Sequence, residues 1–214
     1  MSLNAQLAAV QSRFEETAPA NLKDPILQTQ KEIQETFDQS KAIQVGQAFP
    51  AFRLSNAVGE EVTLEGLLAR GPLLVTFYRG EWCPFCNLAL ASLQKHLGEF
   101  EAKGVTLVAV SPELPNQSLT TTEKHALQFP VLSDVRNQLA AELGILFRQP
   151  ERMRDVFKTL GHDFQARNGD ESLEVPLPAS FLVAKDGVVR KSFVSPDWTK
   201  RLETSVALEW VDEL

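Results

Sequence analysis

Two short apolar runs with a helical stripe between them constrain the fold of this chain more than any other sequence feature. Residues 73–77 (LLVTF) and 105–110 (VTLVAV) are apolar at nearly every position, as in strands that are buried on both faces. Between them, apolar residues recur at helical spacing and stop near Gly104. They are Cys86, Leu90, Leu93, Leu97 and Phe100. This order predicts a β-α-β unit and therefore a parallel sheet in an α/β protein.

Further elements are predicted on both sides of this unit. The Asp186-Gly187 pair is a strong signal for a β-hairpin turn. In chain order, the patterns predict a hairpin of residues 52–54 and 61–64, a helix ending near residue 127, a strand at 129–132, helices at 136–143 and 151–160, a hairpin of residues 179–183 and 188–194, and a closing helix at 202–210.

The first 45 residues have a different pattern, with the apolar spacing of two amphipathic helices separated near Pro19. We therefore divide the chain into a helical extension, residues 1–45, and an α/β domain, residues 46–214. Such an extension either packs on the domain or forms a dimer surface, and the sequence does not choose between these alternatives.

Charge and the N-terminal sequence narrow the functional classes. The 214 residues include 21 Lys and Arg against 28 Asp and Glu, a net charge of −7. This balance argues against a nucleic acid or an anionic membrane surface as the main partner. The first residues lack the basic and continuous apolar regions of a signal peptide, so we expect a cytoplasmic location.

The chain has only two cysteines, Cys83 and Cys86, placed where the first apolar run gives way to the helix. Structural disulfides are rare in the cytoplasm, so this pair is not expected to be one. No second cysteine pair is present to complete a four-thiolate zinc site. His96, His125 and His162 are poorly placed to complete a zinc site with this pair, so we predict no metal. Nucleotide and flavin motifs are absent, so we predict no cofactor.

The position of the pair favours redox chemistry. Cys83 is predicted to be the N-cap, Pro84 suits the first helical position, and Cys86 follows one turn later. The helix N-terminus stabilises a thiolate, which is the nucleophilic form of cysteine. Two sulfurs on one face can open and close a disulfide with little backbone movement.

The segment FYRGEWCPFCN, residues 77–87, and the long helix after it resemble the peroxiredoxin-like proteins of the alkyl hydroperoxide reductase and thiol-specific antioxidant (AhpC/TSA) superfamily. The likeness covers roughly residues 46–200. It implies a thioredoxin-like fold, a central mixed sheet flanked by helices, with peroxiredoxin-type insertions. These are a hairpin before the first core strand and a segment before the last two strands.

The site departs from the peroxiredoxin signature Pro-x-x-x-Thr-x-x-Cys. Arg79 takes the place of the Pro and Cys83 that of the Thr, while Cys86 falls on the peroxidatic cysteine. The arginine that peroxiredoxins carry at the start of the penultimate strand falls on Pro178. The segment from Pro178 resembles the cis-proline loop of thioredoxins, so we expect a cis Pro178 facing the dithiol, with Pro176 as the competing position.

The residues around the cysteines receive roles on this basis. Arg79 is either the guanidinium that stabilises the leaving oxygen or an exposed charge at a strand end. Glu81 is a candidate proton relay, but we favour its interpretation as a solvated loop residue. Trp82 is interpreted as a side chain that packs beside the active-site turn. Trp82, Pro84 and Pro178 form the predicted substrate groove.

Either of the two cysteines can be the nucleophile. The alignment with the peroxiredoxin signature implies that Cys86 attacks, whereas the resemblance to thioredoxins implies that Cys83 attacks. We favour Cys83 because reactivity needs access to solvent, and an N-cap residue is expected to be exposed.

The leading functional hypothesis is a thiol peroxidase that reduces hydrogen peroxide or organic hydroperoxides and is reset by an external thiol, from a thioredoxin or glutathione system. One alternative is a thiol–disulfide oxidoreductase acting on protein or glutathione disulfides. Another is a redox sensor in which the disulfide controls the packing of residues 1–45. The resemblance and the extension are compatible with a homodimer.

Overall fold

The computed structural model describes residues 1–214. The helices are α1 (Leu3–Thr17), α2 (Ala20–Thr36), α3 (Leu64–Leu68), α4 (Pro84–Lys95), α5 (Leu97–Ala102), α6 (Pro115–Lys124), α7 (Gln138–Glu142), α8 (Arg152–Thr159), α9 (Phe164–Asn168) and α10 (Thr204–Asp212). The strands are β1 (Arg53–Asn56), β2 (Glu61–Thr63), β3 (Leu73–Phe77), β4 (Thr106–Ser111), β5 (Val131–Ser133), β6 (Leu146–Arg148), β7 (Glu174–Pro176), β8 (Ala179–Val183) and β9 (Val189–Val194).

Seven strands form one mixed sheet in the order β2-β1-β5-β4-β3-β8-β9. The central strand β3 pairs in parallel with β4, where Val75 lies opposite Val108, and antiparallel with β8, where Val75 lies opposite Phe181. The predicted β-α-β unit, the parallel pair and both predicted hairpins are confirmed.

Apolar cores cover both faces of the sheet. Successive strand residues point to opposite faces, so Val75 and Phe77 enter one core while Leu74 enters the other. Every residue of β3 is buried. This two-sided burial is the reason that the strand reads as one continuous apolar run.

The helix after the cysteines is interrupted, so the prediction of one helix reaching Gly104 is wrong in this detail. α4 ends at Lys95, and the amide of the next residue, His96, donates to the carbonyl of Leu93 three residues earlier. α5 then continues the same buried stripe. Gly104, with φ +71°, then ends α5. The next amide, that of Val105, donates to the carbonyl of Phe100, which is the hydrogen-bond pattern of a Schellman C-cap.

The first two helices pack on the rest of the chain. Leu3 and Leu7 of α1 lie in the same apolar cluster as Leu90 of α4. The carboxylate of Glu203 accepts hydrogen bonds from the amides of Leu3 and Asn4, both at 2.8 Å, at the positive end of α1. For residues 1–45 the sequence left two alternatives, packing on the domain or a dimer surface, and the structure shows packing on the domain. The boundary at residue 45 stays a prediction.

The region between β5 and β8 contains the predicted helix at 151–160, which is α8, and three elements that the sequence did not reveal: β6, β7 and α9. β6 and β7 form a separate two-stranded antiparallel sheet, and α8 and α9 build a small apolar cluster next to it. β6 and β7 are too short to show a period, and no short turn joins them as one joins β1 and β2, which explains why they were missed. None of the helices combines the length and the apolar character needed to cross a membrane.

The prediction of a cis Pro178 is wrong, and Pro176 is not cis either, since every peptide bond is trans. The chain bends at Pro178 between β7 and β8, with a trans peptide bond. In this conformation the amide of Leu177 donates to the carbonyl of Ile145 at 2.8 Å, and the carbonyl of Pro178 accepts from the amide of Ser195 at 3.0 Å. These bonds on both sides of the Pro178 nitrogen hold the chain in this conformation with a trans peptide bond.

Candidate dithiol site

The loop after β3 places the two cysteines at the start of α4. Cys83 is the N-cap, and its sulfur accepts a hydrogen bond from the amide of Cys86 at 3.3 Å. Pro84 occupies the first helical position, where its missing N–H leaves no donor unpaired. Both local predictions are confirmed.

The sulfurs of Cys83 and Cys86 are 2.7 Å apart and both cysteines are free thiols. Both residues are fully buried. The predicted proximity is therefore confirmed, whereas the predicted exposure of Cys83 is wrong. Two arginines contact the sulfurs: Arg79, close in sequence, and Arg201, which is distant in sequence.

Arg79 lies against Cys83. Its Nη2 donates to the Cys83 sulfur at 3.3 Å, and the side chain is buried, so the alternative of an exposed strand-end charge is wrong. The guanidinium is held between two indole rings, 5.0 Å from the centroid of Trp82 and 4.9 Å from that of Trp198. Cation–π contacts on both faces fix its direction toward the sulfur.

Arg201 is a second buried cation at the dithiol, and sequence analysis missed it. Its Nη2 lies 3.0 Å from the Cys86 sulfur and 3.8 Å from the Cys83 sulfur. Its Nη1 donates to the carbonyls of Trp198 and Lys200, which orients the guanidinium. No motif surrounds this residue, and 115 positions separate it from Cys86, so the sequence carried no signal for the contact.

The two thiols have opposite pKa shifts. Burial by itself raises the pKa of Cys83, but the hydrogen bond from the Cys86 thiol and the charges of Arg79 and Arg201 outweigh burial and hold it well below its ordinary value. Burial, the hydrogen bond to Cys83 and the negative charge on Cys83 raise the pKa of Cys86. These opposite shifts favour the thiolate on Cys83 and the thiol on Cys86.

A buried carboxyl supports the other side of the active-site loop. Glu113 accepts hydrogen bonds from the amide of Glu81 at 3.0 Å and from Arg167 at 3.1 Å. Burial raises the pKa of Glu113 to about 7. Glu81 itself pairs with Lys124 and is mostly buried, so its interpretation as a solvated loop residue is wrong.

Gly80 lets this loop pass close to its neighbours. Its φ is +141°, a value that residues with a side chain rarely adopt. A Cβ at this position would lie 2.5 Å from Nε1 of Trp82 and 2.9 Å from Oε1 of Glu113. Glycine is therefore required between the central strand and the dithiol.

An apolar cavity of about 280 Å³ adjoins the loop. Trp82 and Pro84 of the predicted groove line it, together with Phe14 of α1 and Ile26 of α2, whereas Pro178 does not. Trp82 also packs against Phe157, Phe164 and His162. No group of three or more His, Cys, Asp and Glu side chains is arranged to hold a metal ion.

The dithiol lies at the N-terminus of the helix that follows the central strand of a mixed sheet. This arrangement defines a protein of the thioredoxin-fold class. Within that class, residues 45–192 match the sequence profile of the AhpC/TSA family. The chain belongs to this family.

Comparisons with individual proteins agree. Peroxiredoxin Bcp of Escherichia coli K12 is 25% identical over 171 residues, which cover 80% of this chain and 97% of that protein. A candidate peroxiredoxin, bcp, from Buchnera aphidicola is 31% identical over 100 residues, and the match spans 47% of this chain and 63% of that relative. The crystal structure of peroxidoxin BcpB from Mycobacterium tuberculosis superposes with a TM-score of 0.63 at 19% identity, covering 80% of this chain and 98% of that one.

Proposed function

We propose that the protein is a thiol peroxidase that reduces hydroperoxides through a Cys83–Cys86 dithiol and disulfide cycle. The observation that carries the proposal is the surroundings of the Cys83 sulfur, where Arg79 and Arg201 stabilise a thiolate and Cys86 lies 2.7 Å away. Membership of the AhpC/TSA family and the peroxiredoxin names of its relatives support the same activity.

In the first step the Cys83 thiolate attacks the terminal oxygen of the hydroperoxide. An S–O bond forms and the O–O bond breaks, so Cys83 is oxidised to a sulfenic acid. The remaining oxygen leaves with the electron pair as alkoxide or hydroxide and takes a proton from solvent. Arg79 and Arg201 supply positive charge where the negative charge develops, which is the usual source of stabilisation in such a transition state.

In the second step the Cys86 sulfur attacks the sulfenic sulfur. The disulfide forms, and the thiol proton of Cys86 leaves with the hydroxyl group as water. An external thiol, from a dithiol protein or from glutathione, then reduces the disulfide by exchange. This cycle fits a reducing compartment such as the cytoplasm, where a thiol pool is available.

Charge favours Cys83 over Cys86 as the nucleophile. Cys83 receives four sulfur contacts from donors, those of Arg79, Arg201, the Cys86 amide and the Cys86 thiol. The raised pKa of Cys86 keeps this residue a thiol that waits to resolve the sulfenic acid. Solvent exposure does not distinguish Cys83 from Cys86, because both residues are buried.

Limited oxidation of serine variants tests the assignment. Cys86→Ser is expected to form a stable sulfenic acid on Cys83 after one equivalent of hydrogen peroxide, detected by mass spectrometry with a sulfenic-acid trap. Cys83→Ser is expected to react at the rate of a free thiol. The reverse pattern would transfer the peroxidatic role to Cys86. If neither variant nor the wild type reacts faster than a free thiol, the peroxidase proposal fails.

A second candidate is a thiol–disulfide oxidoreductase, because a Cys-Pro-Phe-Cys sequence at a helix N-terminus with a low pKa on the first cysteine also suits disulfide exchange. Both sulfurs are buried, which favours a small hydroperoxide over a protein disulfide. Insulin reduction measured beside peroxide consumption separates the two activities. Insulin turnover in the absence of rapid peroxide turnover would establish the second candidate.

A further inference from the structure

One turn, residues 195–201 between β9 and α10, supports both cations of the dithiol site. The ring of Trp198 in this turn covers the guanidinium of Arg79, whose central carbon lies 4.9 Å from the ring centroid. Arg201 at the end of the turn reaches both sulfurs. The turn lies outside the strands and helices, so side chains have to help fix its shape.

Asp197 closes this turn. Its Oδ1 accepts from the backbone amide of Thr199 at 3.0 Å and from the Thr199 hydroxyl at 2.7 Å. Its own carbonyl accepts from the amide of Lys200 at 3.0 Å. A carboxylate that binds the backbone amide two residues later sets the course of a turn. The directions of the carbonyls that follow Asp197 therefore depend on its side chain.

Those carbonyls orient Arg201. Its Nη1 donates to the carbonyl of Trp198 at 2.7 Å and to that of Lys200 at 2.6 Å, while its Nη2 lies 3.0 Å from the Cys86 sulfur. Because the guanidinium is planar and rigid, two fixed acceptors on one nitrogen determine where the other nitrogen points. A shift of the turn therefore moves this cation, and the same shift moves the Trp198 ring relative to Arg79.

Helix α2 fastens the turn from outside. Nε2 of Gln30 donates to Oδ1 of Asp197 at 2.9 Å, across 167 positions of sequence. This one oxygen thus accepts from three donors, two within the turn and one on the N-terminal helices. The two donors of Thr199 set the shape of the turn, whereas the Gln30 amide fixes its place relative to α2.

We propose that Asp197, held by Gln30, is a positioning residue of the dithiol site. It keeps Arg201 on the sulfurs and the Trp198 ring on Arg79. Asp197 forms no hydrogen bond with either sulfur and acts through these neighbours. The inference rests on the peroxidase activity proposed above and adds the residue that maintains the positive charge beside the reacting sulfur. A misplacement of about 1 Å is enough to lower a catalysed rate substantially.

Two substitutions of Asp197 separate position from charge. Asp197→Ala removes the acceptor and the charge, whereas Asp197→Asn keeps an acceptor oxygen and loses only the charge. A positioning role predicts that Asp197→Ala raises the pKa of Cys83, because the cations withdraw, and that Asp197→Asn does not raise it. An effect of charge alone predicts a lower pKa of Cys83 in both variants, because a nearby anion is lost.

The pKa of Cys83 is measured in a Cys86→Ser background, from the pH dependence of alkylation by iodoacetamide. In this background Arg79 and Arg201 are the charged groups in contact with the sulfur. A profile shifted to higher pH in Asp197→Ala and restored by Asp197→Asn supports the inference. Equal shifts in the two variants would overturn it.

The rate of the reaction is the second readout. With both cysteines present, Asp197→Ala is expected to lower the second-order rate constant for oxidation by hydrogen peroxide at least about tenfold, as for a misplaced catalytic group. Asp197→Asn should retain most of the rate.

The matched control is Asp170→Ala. Asp170 closes a turn of the same kind before β7, where its Oδ1 accepts from the amide of Ser172 at 2.8 Å and from the Ser172 hydroxyl at 2.6 Å. Neither Arg79 nor Arg201 binds to this turn, so the alkylation profile and the rate should stay unchanged. A loss of rate as large as that in Asp197→Ala would indicate general loosening and contradict the positioning role.

A further variant keeps the inference testable if Asp197→Ala does not fold. Gln30→Met removes the donor on α2 and leaves the hydrogen bonds within the turn in place. It should raise the pKa of Cys83 in the same assay, by less than Asp197→Ala. Its control is Gln28→Met, at an exposed position of the same helix. Identical alkylation profiles for these two variants would refute the inference.

The two assays fail independently. If the wild type reacts with hydrogen peroxide no faster than free cysteine, the proposed function fails, whereas the alkylation profiles still decide the positioning role. If the wild type reacts rapidly and Asp197→Ala folds with an unchanged profile and rate, the positioning role is refuted and the peroxidase activity stands.

Discussion

At the residue scale, two identical side chains acquire opposite chemistry from their neighbours. Cys83 and Cys86 are equally buried, and burial alone would raise the pKa of both. The difference comes from hydrogen bonds and charge, since Arg79 and the Cys86 thiol both point at Cys83. In a buried site such contacts act at low dielectric, where a fixed cation has a large effect.

Removing Arg201 is expected to raise the pKa of Cys83. In a Cys86→Ser background, Arg201→Met should raise it, because a nearby opposite charge is lost. At a pH below the pKa the thiolate fraction then falls, and alkylation by iodoacetamide slows in proportion. The control is Arg190→Met in the same background, because Arg190 is exposed and pairs with Asp186. Identical pH profiles for the two variants would show that Arg201 does not stabilise the thiolate.

At the scale of elements, a buried carboxyl connects the active-site loop with the region before β7. Glu113 follows β4, accepts from the amide of Glu81 and pairs with Arg167 of α9. Its pKa of about 7 makes this connection depend on pH.

The raised pKa of Glu113 predicts a loss of stability as the pH rises. Between pH 4.5 and about 7 this group is ionised in the unfolded chain and protonated in the native one, so the native state binds the extra proton. The free energy of unfolding should therefore fall across this window, by roughly 3 kcal/mol from this group alone. Glu113→Gln should remove that slope in urea titrations at pH 5 and pH 7.5. Glu123→Gln, at an exposed position of α6, should retain it. Equal slopes in the two variants would contradict the assignment.

The packing of α1 on α4 predicts a second stability effect. Leu7 is 3% exposed within the apolar cluster that includes Leu90 and Cys86. Leu7→Ala should lower the free energy of unfolding by about 2–5 kcal/mol, because it removes apolar contacts and leaves a cavity. Arg13→Ala, at an exposed position of the same helix, should change it by less than about 0.5 kcal/mol. A cost below about 1 kcal/mol for Leu7→Ala would mean that α1 is loosely attached.

At the scale of the whole molecule, the two N-terminal helices belong to the environment of the site. They supply Phe14 and Ile26 to the cavity wall, while Arg152 of α8 binds Thr29 and Glu32 of α2. The contacts that hold the extension are apolar packing, hydrogen bonds and one ion pair, and no hydrogen bond or ion pair among them involves a cysteine sulfur.

Oxidation of the dithiol is therefore expected to leave residues 1–45 packed. Limited trypsin digestion should cleave this segment, which contains Arg13 and Lys23, at equal rates in the reduced protein and after treatment with hydrogen peroxide. The redox-sensor alternative predicts faster cleavage after oxidation. A severalfold increase at these residues would support that alternative and contradict the expectation, and the Cys86→Ser variant shows whether the disulfide is responsible.

The local features were predictable because their signals lie within a few residues of one another. Continuous apolar runs marked β3 and β4, the stripe from Cys86 to Phe100 marked the helix face, and Pro84 marked its first position. These are consequences of side-chain period and backbone geometry, which each segment carries by itself. The break at His96 and the strands β6 and β7 left no comparable pattern.

The sequence by itself determined the α/β class, the order of the main elements and a dithiol at a helix N-terminus. Only the tertiary structure decided that Cys83 is buried, that Arg201 lies beside it from 118 positions away, and that Gln149 lines the adjoining cavity. The physical reason is that a strand or a helix is specified by neighbours along the chain, whereas burial and electrostatics depend on which distant side chains the fold brings within a few ångströms.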